Sequence, residues 1–194
     1  MERKLFLTGL SGCGKTTLIR RTLGPSLLNA GGFVTERIRH EDGSLVGYDL
    51  FPSAHAGGAE GFDGARFLDY TVTPPLHDNE IFRVDAVRLL SEASYYPFAL
   101  LDETGGYEIL IPEFCAALVG FLSSDLPCIG VWKGAHNAGS LKRRLGLGDR
   151  YPEKHAALRE RMESDPNIRI VEMTGFDDEN AIRAVREWAE EYAQ

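Results

Sequence analysis

The sequence predicts a three-layer α/β domain whose central sheet is largely parallel and carries an antiparallel β-hairpin. Short apolar runs of strand length alternate with longer segments of helical period, and this alternation is typical of a parallel sheet covered by helices. Two β-rich runs on either side of an Asp-Gly pair predict the hairpin. The 194 residues match the usual length of one domain, so we expect a single domain over residues 1–194.

The first half of the chain predicts a strand, a helix and then the hairpin. Glycine and proline follow the helix directly and are expected to end it. The predicted elements, in chain order, are Lys4–Thr8, Lys15–Leu23, Gly32–Arg39 and Ser44–Pro52. Residues 53–80 are rich in glycine and proline, which indicates a loop with one or two short strands around residues 67–72.

The second half alternates helices and strands. The predicted helices are Phe82–Ala93, Pro112–Leu122, a basic helical region over Leu141–Met162, and a terminal helix after Asp177. The predicted strands are Phe98–Leu101, Cys128–Trp132 and Ile168–Met173. In the first of these helices the spacing of Val84, Val87 and Leu90 predicts a buried apolar face that can also include Phe82.

Composition limits the partners and the location of the protein. The formal net charge of −8 and pI near 5.2 argue against whole-surface binding of nucleic acid or anionic membrane. The apolar stretch near the start is too short for a secretory signal, and no run reaches the roughly 18 apolar residues that span a bilayer. The three cysteines, Cys13, Cys115 and Cys128, are odd in number and widely spaced. We therefore expect a cytoplasmic protein.

The strongest motif lies between the first predicted strand and helix. Residues 9–16, GLSGCGKT, fit the Walker A pattern G-x-x-x-x-G-K-[ST] of a phosphate-binding loop. The predicted nucleotide-binding residues are Gly9, Leu10, Ser11, Gly12, Cys13, Gly14, Lys15, Thr16 and Thr17. Backbone N–H groups and the helix N-terminus bind phosphate oxygens, Lys15 contributes charge at the terminal phosphates, and the Thr16 hydroxyl is a ligand for Mg²⁺.

An acidic pair ends the predicted strand Phe98–Leu101. Asp102 lies where a Walker B carboxylate holds Mg²⁺, directly or through water. Glu103 is placed to orient or deprotonate the water that attacks the γ-phosphate, a role that nucleotide binding alone does not require. The predicted metal ligands are therefore Thr16 and Asp102, and the predicted catalytic base is Glu103.

Three segments in order resemble the cancer-related nucleoside-triphosphatases, a family of small P-loop proteins. They are GLSGCGKTTL at the start, the hairpin GGFVTERIRHEDGSLVGYDL, and LLDETGGYEILIPEF after the predicted strand. The resemblance covers roughly residues 4–122. It implies a P-loop NTPase domain that hydrolyses ATP, GTP or other nucleoside triphosphates with Mg²⁺. The sequence departs from the family pattern at Arg37, Thr104 and Tyr107, where the family usually has an acidic residue, an aliphatic residue and methionine.

The basic segment 133–162 predicts either a lid or an exposed helical face. It holds eight basic and three acidic residues in an otherwise acidic chain. As a lid, it would bring Arg143, Arg144 or Arg150 to the γ-phosphate as an arginine finger, which makes Arg143 and Arg144 candidate catalytic residues. The segment offers a single aromatic platform, Tyr151, which disfavours nucleic-acid binding.

Two alternative functions remain open from the sequence. A nucleotide or small-molecule kinase would use the basic segment as a lid and the 53–80 region to hold an acceptor. A nucleotide-gated binding or assembly protein would have little turnover and would bind an unidentified protein partner through residues 53–64 or the basic segment. Guanine-reading Asn-Lys-x-Asp and Thr-Lys-x-Asp motifs do not occur in the sequence, which disfavours a GTPase switch.

Overall fold

A computed structural model of the protein describes residues 2–193. Its eight strands are β1 (Lys4–Thr8), β2 (Ala30–Arg39), β3 (Leu45–Pro52), β4 (Ala65–Asp69), β5 (Leu76–His77), β6 (Phe98–Thr104), β7 (Cys128–Trp132) and β8 (Ile168–Glu172). Its helices are α1 (Lys15–Leu23), α2 (Val87–Glu92), α3 (Pro112–Leu122), α4 (Ala135–Leu145), α5 (Arg150–Ser164) and α6 (Glu179–Tyr192). Short 3₁₀ turns and one π-helical turn connect them.

All eight strands form one sheet, in the order β5-β4-β3-β2-β6-β7-β1-β8. The strands from β2 to β8 in this order are parallel, and β3, β4 and β5 add an antiparallel extension beyond β2. The predicted α/β class and the largely parallel sheet are confirmed. β7 lies between β1, which leads into the phosphate loop, and β6, which carries the acidic pair, so the carboxyl end of β7 separates the two motifs.

Helices cover both faces of the sheet, which gives the three predicted layers. On one face, α1 and α6 bury Ile19, Leu23, Val185 and Trp188 against β1 and β7. On the other face, apolar residues of α2, α3 and α5 pack on Phe6, Leu101 and the aromatic side chains of the hairpin. Because each strand of the parallel part is covered on both faces, β1 and β7 are buried at every position, as near-continuous apolar strands must be.

The hairpin forms as predicted, with β2 and β3 antiparallel and Arg37 opposite Tyr48. Its turn is closed by the N–H of His40, which donates to the carbonyl of Ser44 over 2.9 Å, and by Asp42, whose carboxylate accepts from the N–H of Ser44. The 53–80 region contains the short strands β4 and β5, the first of which pairs with β3. The hairpin is therefore the start of the antiparallel extension.

The prediction for the buried face of the helix before β6 is wrong for Val84 and confirmed for Phe82 and Leu90. Val84 is 55% exposed, whereas Phe82, Ala86, Leu89 and Leu90 are buried. The helix begins with a wide π-helical turn over Ile81–Ala86, which changes the angular spacing of its side chains. The Phe82 ring consequently packs edge-on against Phe33 and Phe114, and Val84 points to solvent.

The basic segment consists of two helices with different degrees of burial. In α5, Tyr151, His155, Leu158 and Met162 are buried in the core, whereas in α4 only Ala138 is. No helix within residues 2–193 is both long and apolar enough to cross a bilayer.

Candidate active site

The phosphate loop connects β1 to α1 and takes a backbone path that only glycine adopts easily. Gly9 has φ of 132°, and a Cβ there would lie 2.2 Å from the carbonyl oxygen of Met173. Gly14, with φ of 99°, immediately precedes α1, and a Cβ there would collide with the ring of Phe176. The glycines of the Walker A pattern are thus required by local geometry as well as by close approach of phosphate.

The side chain of Lys15 lies inside the loop. Its ammonium donates to the carbonyl of Leu10 over 2.7 Å and to that of Gly9 over 3.1 Å, and it lies 3.5 Å from the sulfur of Cys13. The residue is buried although it belongs to the first turn of a surface helix. The lysine charge is therefore held among the backbone groups that would surround a bound phosphate.

Thr16 and Asp102, the two predicted metal ligands, are in contact at the edge of the sheet. The Thr16 hydroxyl donates to Oδ1 of Asp102 over 2.9 Å. Asp102 is buried, and this burial raises its pKa to about 6, an effect that the hydrogen bond from Thr16 and the field of Arg20 only partly offset. Within residues 2–193 no Lys or Arg nitrogen lies within 4.0 Å of the Asp102 carboxylate, so it has no ion-pair partner.

Glu103 has an unusual backbone conformation next to Asp102. Its φ is 66°, and it is the one non-glycine residue with positive φ among residues 2–193. The pairing between β6 and β7 is interrupted at this point, between Leu101 and Thr104. A strained backbone of this kind persists where its surroundings hold it, and such positions cluster at functional sites.

Lys133, the first residue after β7, pairs with Glu103. Its ammonium lies 3.0 Å from Oε1 of the carboxylate, and both side chains are partly buried. Burial favours the neutral acid, but Lys133, Arg37 and Lys15 together hold the pKa of Glu103 below its usual value. The carboxylate is therefore ionised at neutral pH and is available to accept a proton or a hydrogen bond.

The loop and the acidic pair line one cavity of about 230 Å³, here called the phosphate cavity. Its walls contain most of the predicted site residues, namely Ser11, Gly12, Gly14, Lys15, Thr16, Thr17, Asp102 and Glu103. Gly9, Leu10 and Cys13 are outside this lining. Gly9 forms the base of the loop, Leu10 is 59% exposed, and the thiol of Cys13 points to the carbonyl of Met173.

Arg37 and Phe176 are two further residues of the phosphate cavity. The guanidinium of Arg37 donates to the hydroxyl of Ser11 over 2.8 Å, so the hairpin is tied to the phosphate loop. Phe176 follows β8, is 64% exposed and lies against Gly14. Sequence reasoning noted Arg37 as a departure from the family pattern, but it assigned no role to Phe176.

The predicted arginine fingers lie away from the phosphate cavity. Arg143 is exposed on α4 and donates to Ser140 of the same helix, and Arg150 is exposed at the start of α5. Arg144 lies over the ring of Tyr70 and borders a second cavity. For any of them to act at the γ-phosphate, the basic segment must move, so their catalytic role stays a prediction.

Helix α5 is attached to the site by hydrogen bonds. The hydroxyl of Tyr151 donates to the carbonyl of Gly105 over 2.9 Å, and Nε2 of His155 lies 2.7 Å from the carbonyl of Lys133. Gly105 follows β6 and Lys133 follows β7, so both hydrogen bonds lie next to the Glu103–Lys133 pair. The attachment indicates that α5 supports the site as part of the core.

Asn137 and Lys133 are site residues that sequence reasoning missed. The amide of Asn137, in α4, donates to the carbonyl of Gly9 over 3.0 Å. Lys133 was counted only as part of a basic segment. The available signal was its position directly after a predicted parallel strand, because the carboxyl ends of such strands share one edge of the sheet with Asp102 and Glu103.

Comparisons with known proteins identify the family of this chain. A family model described as NTPase matches residues 4–147. Over 161 residues the chain is 32% identical to a Thermofilum pendens protein named nucleoside-triphosphatase THEP1, a match that covers 76% of this chain and 83% of that protein. It is 51% identical over 133 residues to a protein of the same name from a Thermotoga species, covering 67% and 74%.

A mouse protein named cancer-related nucleoside-triphosphatase homolog is 30% identical over 136 residues, covering 64% of this chain and 71% of that protein. The crystal structure of THEP1 from Aquifex aeolicus superposes with a TM-score of 0.63 and 17% identity, over 94% of this chain and 96% of that one, which shows a shared fold. Because the family match spans most of the chain and includes both the phosphate loop and the acidic pair, the chain belongs to the NTPase family and is an enzyme that hydrolyses nucleoside triphosphates.

Proposed function

We propose that this enzyme hydrolyses ATP, GTP and other nucleoside triphosphates with Mg²⁺, and that Glu103 activates the attacking water. The observation that carries the proposal is the position of Glu103. Its backbone is held in the left-handed region, and its ionised carboxylate lines the phosphate cavity together with Lys15 and Thr16. A carboxylate at this place is not needed to bind a nucleotide, but it is needed to accept a proton from water.

Thr16 and Asp102 fit the requirements of a magnesium site. A hydroxyl oxygen and a carboxylate lie 2.9 Å apart, and oxygen donors of this kind are the ligands that Mg²⁺ prefers. The buried Asp102 has no positively charged partner within 4.0 Å in the described chain, so a cation would compensate a charge that burial disfavours. When bound, Mg²⁺ supplies positive charge to the β- and γ-phosphate oxygens.

The phosphate loop and Lys15 bind the triphosphate. The first N–H groups of α1 have no intrahelical partner and favour an anion at the helix N-terminus, and the Lys15 ammonium is held within the same loop. The positive charge of Lys15 stabilises the negative charge that develops on the leaving diphosphate. Its contribution to catalysis is therefore electrostatic.

Glu103 acts on water, and Lys133 positions it. The 3.0 Å ion pair fixes one carboxylate oxygen and leaves the other free to accept a hydrogen bond from water. Arg37 lines the same cavity and supplies a further positive charge for the γ-phosphate. This arrangement supports Arg37 as a stabilising arginine within the chain itself, in a position that needs no lid movement.

Within the basic segment, only helix α4 can act as a lid. That helix has few buried residues and contacts the loop through Asn137, whereas α5 is packed into the core. Closure of α4 would carry Arg143 and Arg144 toward the nucleotide, as the sequence analysis anticipated. We keep the finger role of these two residues as part of the proposal for α4 alone.

Phe176 supports the broad nucleotide range. Its exposed ring lies at Gly14, at the start of α1, where it offers a stacking surface for a nucleobase. Stacking on an aromatic ring accepts every base, because every base has a π-face.

We also propose a cytoplasmic location, which is supported by three cysteines that are all free thiols.

The variant Glu103→Gln tests the proposal, because glutamine keeps the size of the side chain but cannot accept a proton from water. We expect binding of Mg²⁺ and triphosphate close to wild type, measured by calorimetry, and phosphate release slower by about 10²-fold or more. Glu41→Gln, on the exposed turn of the hairpin, is the matched control and should behave as wild type. Hydrolysis at the wild-type rate would make Glu103 structural, and a loss of nucleotide affinity would place it among the metal ligands.

A further inference from the structure

A second cavity adjoins the phosphate cavity and is not needed for hydrolysis. It has a volume of about 400 Å³, within the range of small-molecule sites, and we call it the aromatic cavity. Four residues line both cavities: Ser11, Thr35, Arg37 and Glu103. A molecule in the aromatic cavity would therefore lie directly beside the terminal phosphate of a bound nucleotide.

A ladder of four side chains, with a cation at each end and two rings between them, runs beside the aromatic cavity, and all but Tyr70 line it. The guanidinium of Arg37 lies 5.9 Å from the ring centre of Tyr48, its partner across the hairpin. The rings of Tyr48 and Tyr70 are 6.3 Å apart, and the guanidinium of Arg144 lies 5.8 Å from the ring of Tyr70. The ladder connects the phosphate loop, through the antiparallel extension, to helix α4.

Both arginines of the ladder lack a carboxylate partner. Within residues 2–193 no Asp or Glu oxygen lies within 4.0 Å of either guanidinium, and their hydrogen bonds go to the hydroxyls of Ser11 and Tyr70. Lys133, by contrast, is neutralised by Glu103. Two guanidinium groups at one cavity favour an anion with several oxygens, such as phosphate, because the planar group donates two parallel hydrogen bonds.

Next to the ladder, part of the cavity lining is apolar and aromatic, and the Tyr48 and Phe67 ring centres are 6.1 Å apart. Phe67, Phe82 and Tyr107 line it, and the ring centres of Phe67 and Phe82 are 4.9 Å apart. The hydroxyl of Tyr107 donates to the carbonyl of Phe67 over 3.0 Å, so its polar end is already satisfied and its ring faces the neighbouring aromatics. A flat ring system matches this wall better than a flexible polar ligand does.

We propose that the aromatic cavity binds a nucleoside monophosphate, which accepts the γ-phosphoryl group of the bound triphosphate. The guanidinium groups of Arg37 and Arg144 bind the phosphate of the acceptor, and its base packs on the aromatic wall. The proposal rests on the phosphate site described above but not on the role of Glu103. In the absence of an acceptor, water takes its place and the enzyme hydrolyses the triphosphate.

The transfer is balanced without any further reactant. An oxygen of the acceptor phosphate attacks the γ-phosphorus and forms a new P–O bond. The bond from the γ-phosphorus to the β,γ-bridging oxygen breaks, and the electron pair leaves with the donor diphosphate. The acceptor becomes a diphosphate as well. Because a phosphate dianion has no proton to lose, this reaction needs no general base, in contrast to hydrolysis.

The direct test follows the γ-phosphate of labelled GTP in the presence of AMP, CMP, UMP or GMP. Transfer places the label in a nucleoside diphosphate, whereas hydrolysis places it in inorganic phosphate, and chromatography separates the two products. We expect labelled diphosphate with at least one acceptor. A Lys15→Ala sample purified in parallel should form none, which excludes a contaminating kinase. Label confined to inorganic phosphate with all four acceptors would overturn the proposal.

Two variants then locate the acceptor. Arg144→Met, on the exposed face of α4, should raise the KM for the acceptor in the transfer reaction about tenfold or more, whatever its effect on hydrolysis, because a charged hydrogen-bond donor to phosphate is lost. Ser140→Trp fills the cavity and should abolish transfer while phosphate release continues, and Ser140→Ala is its control. If Arg144→Met leaves the KM for the acceptor unchanged, the acceptor site is not where we place it.

Glu103→Gln separates this inference from the proposed function. It should slow hydrolysis strongly but leave transfer to the monophosphate within a few-fold of wild type, because the dianion needs no base. If hydrolysis falls and no transfer occurs in either protein, the acceptor proposal fails and the hydrolytic assignment stands. If transfer occurs and hydrolysis is unchanged, the acceptor proposal stands and the assignment of Glu103 fails.

Discussion

The ammonium of Lys133 lies 3.0 Å from Oε1 of Glu103, and this ion pair joins the carboxyl ends of β7 and β6. Burial by itself favours a protonated Glu103, and the neighbouring positive charges reverse that tendency. The pair therefore keeps the candidate base ionised and restricts its orientation. Neither strand alone could do this, because β6 supplies the carboxylate and β7 supplies the cation.

Lys133→Met is expected to lower kcat about tenfold or more with a smaller effect on KM, since the side chain acts on Glu103 rather than on substrate. Lys133→Arg should restore part of the rate, because it restores a cation able to pair with the carboxylate. Steady-state kinetics of the two variants checks this. Equal rates for Met and Arg variants would show that the charge at position 133 is irrelevant.

Lys15→Ala should weaken triphosphate binding and abolish turnover while the fold is preserved. The lysine charge serves the terminal phosphates, and its partners in the free protein are carbonyls of the loop. Fluorescence titration with a labelled nucleotide and circular dichroism measure the two properties. A folded variant with normal affinity and rate would contradict the assignment of the phosphate loop.

Asp102→Asn should raise the Mg²⁺ concentration needed for half-maximal activity, because a neutral amide cannot supply the charge of a carboxylate at the metal. A magnesium titration at saturating nucleotide is the measurement. Asp63→Asn, in the exposed loop before β4, serves as the control. Titrations of wild type and Asp102→Asn that superimpose would remove Asp102 from the metal site.

Arg37→Ala should reduce hydrolysis by at least tenfold, which is below the roughly 10³- to 10⁵-fold effect of a full arginine finger because Lys133 and Lys15 remain. Affinity for the diphosphate should change much less, since the charge acts on the γ-phosphate. Exposed Arg39, two residues further along β2, provides the matched control as Arg39→Ala. Equal losses in the two variants would point to a general effect on the hairpin.

The lid proposal for α4 predicts a local change on nucleotide binding. Amides of Ala135–Leu145 should gain protection from hydrogen exchange when a non-hydrolysable triphosphate is added, whereas those of α5 should be protected throughout. If the lid closes, the double variant Arg143→Ala with Arg144→Ala should lose more turnover than diphosphate affinity. Unchanged exchange in α4 and activity within about twofold of wild type would show that both arginines are solvent-exposed side chains without a catalytic role.

Local patterns in the sequence predicted the motifs well, because each motif is local. The glycine positions of the phosphate loop, the Asp-Gly turn and the strand that ends in Asp102 depend on neighbouring residues. The pairing of Thr16 with Asp102 could also be expected, since carboxyl ends of parallel strands share an edge. The position of β7 between β1 and β6 could not, because strand order depends on long-range packing of the helices.

The aromatic cavity could not be predicted from the sequence either, because it too depends on long-range packing. Its walls come from β3, β4, the π-helical turn and the segment after β6, which are far apart in the chain. Arg37 was noticed as unusual, but its contact with Ser11 required the hairpin to reach the loop. The wide turn over Ile81–Ala86 leaves Val84 outside the core, and no side-chain pattern indicated that turn.

The register of the hairpin has a consequence for how this enzyme tolerates change. Pairing with β6 holds β2 in place, and side chains alternate between the two faces of a strand, so a slip of β3 by one residue would remove Tyr48 from its position opposite Arg37. The turn at residues 40–43 fixes that register although it lies at the surface and contacts no nucleotide. Insertion of a single residue there is expected to leave a folded protein in which Arg37 has lost its contact with the Tyr48 ring, so the length of an exposed turn limits how the site can change.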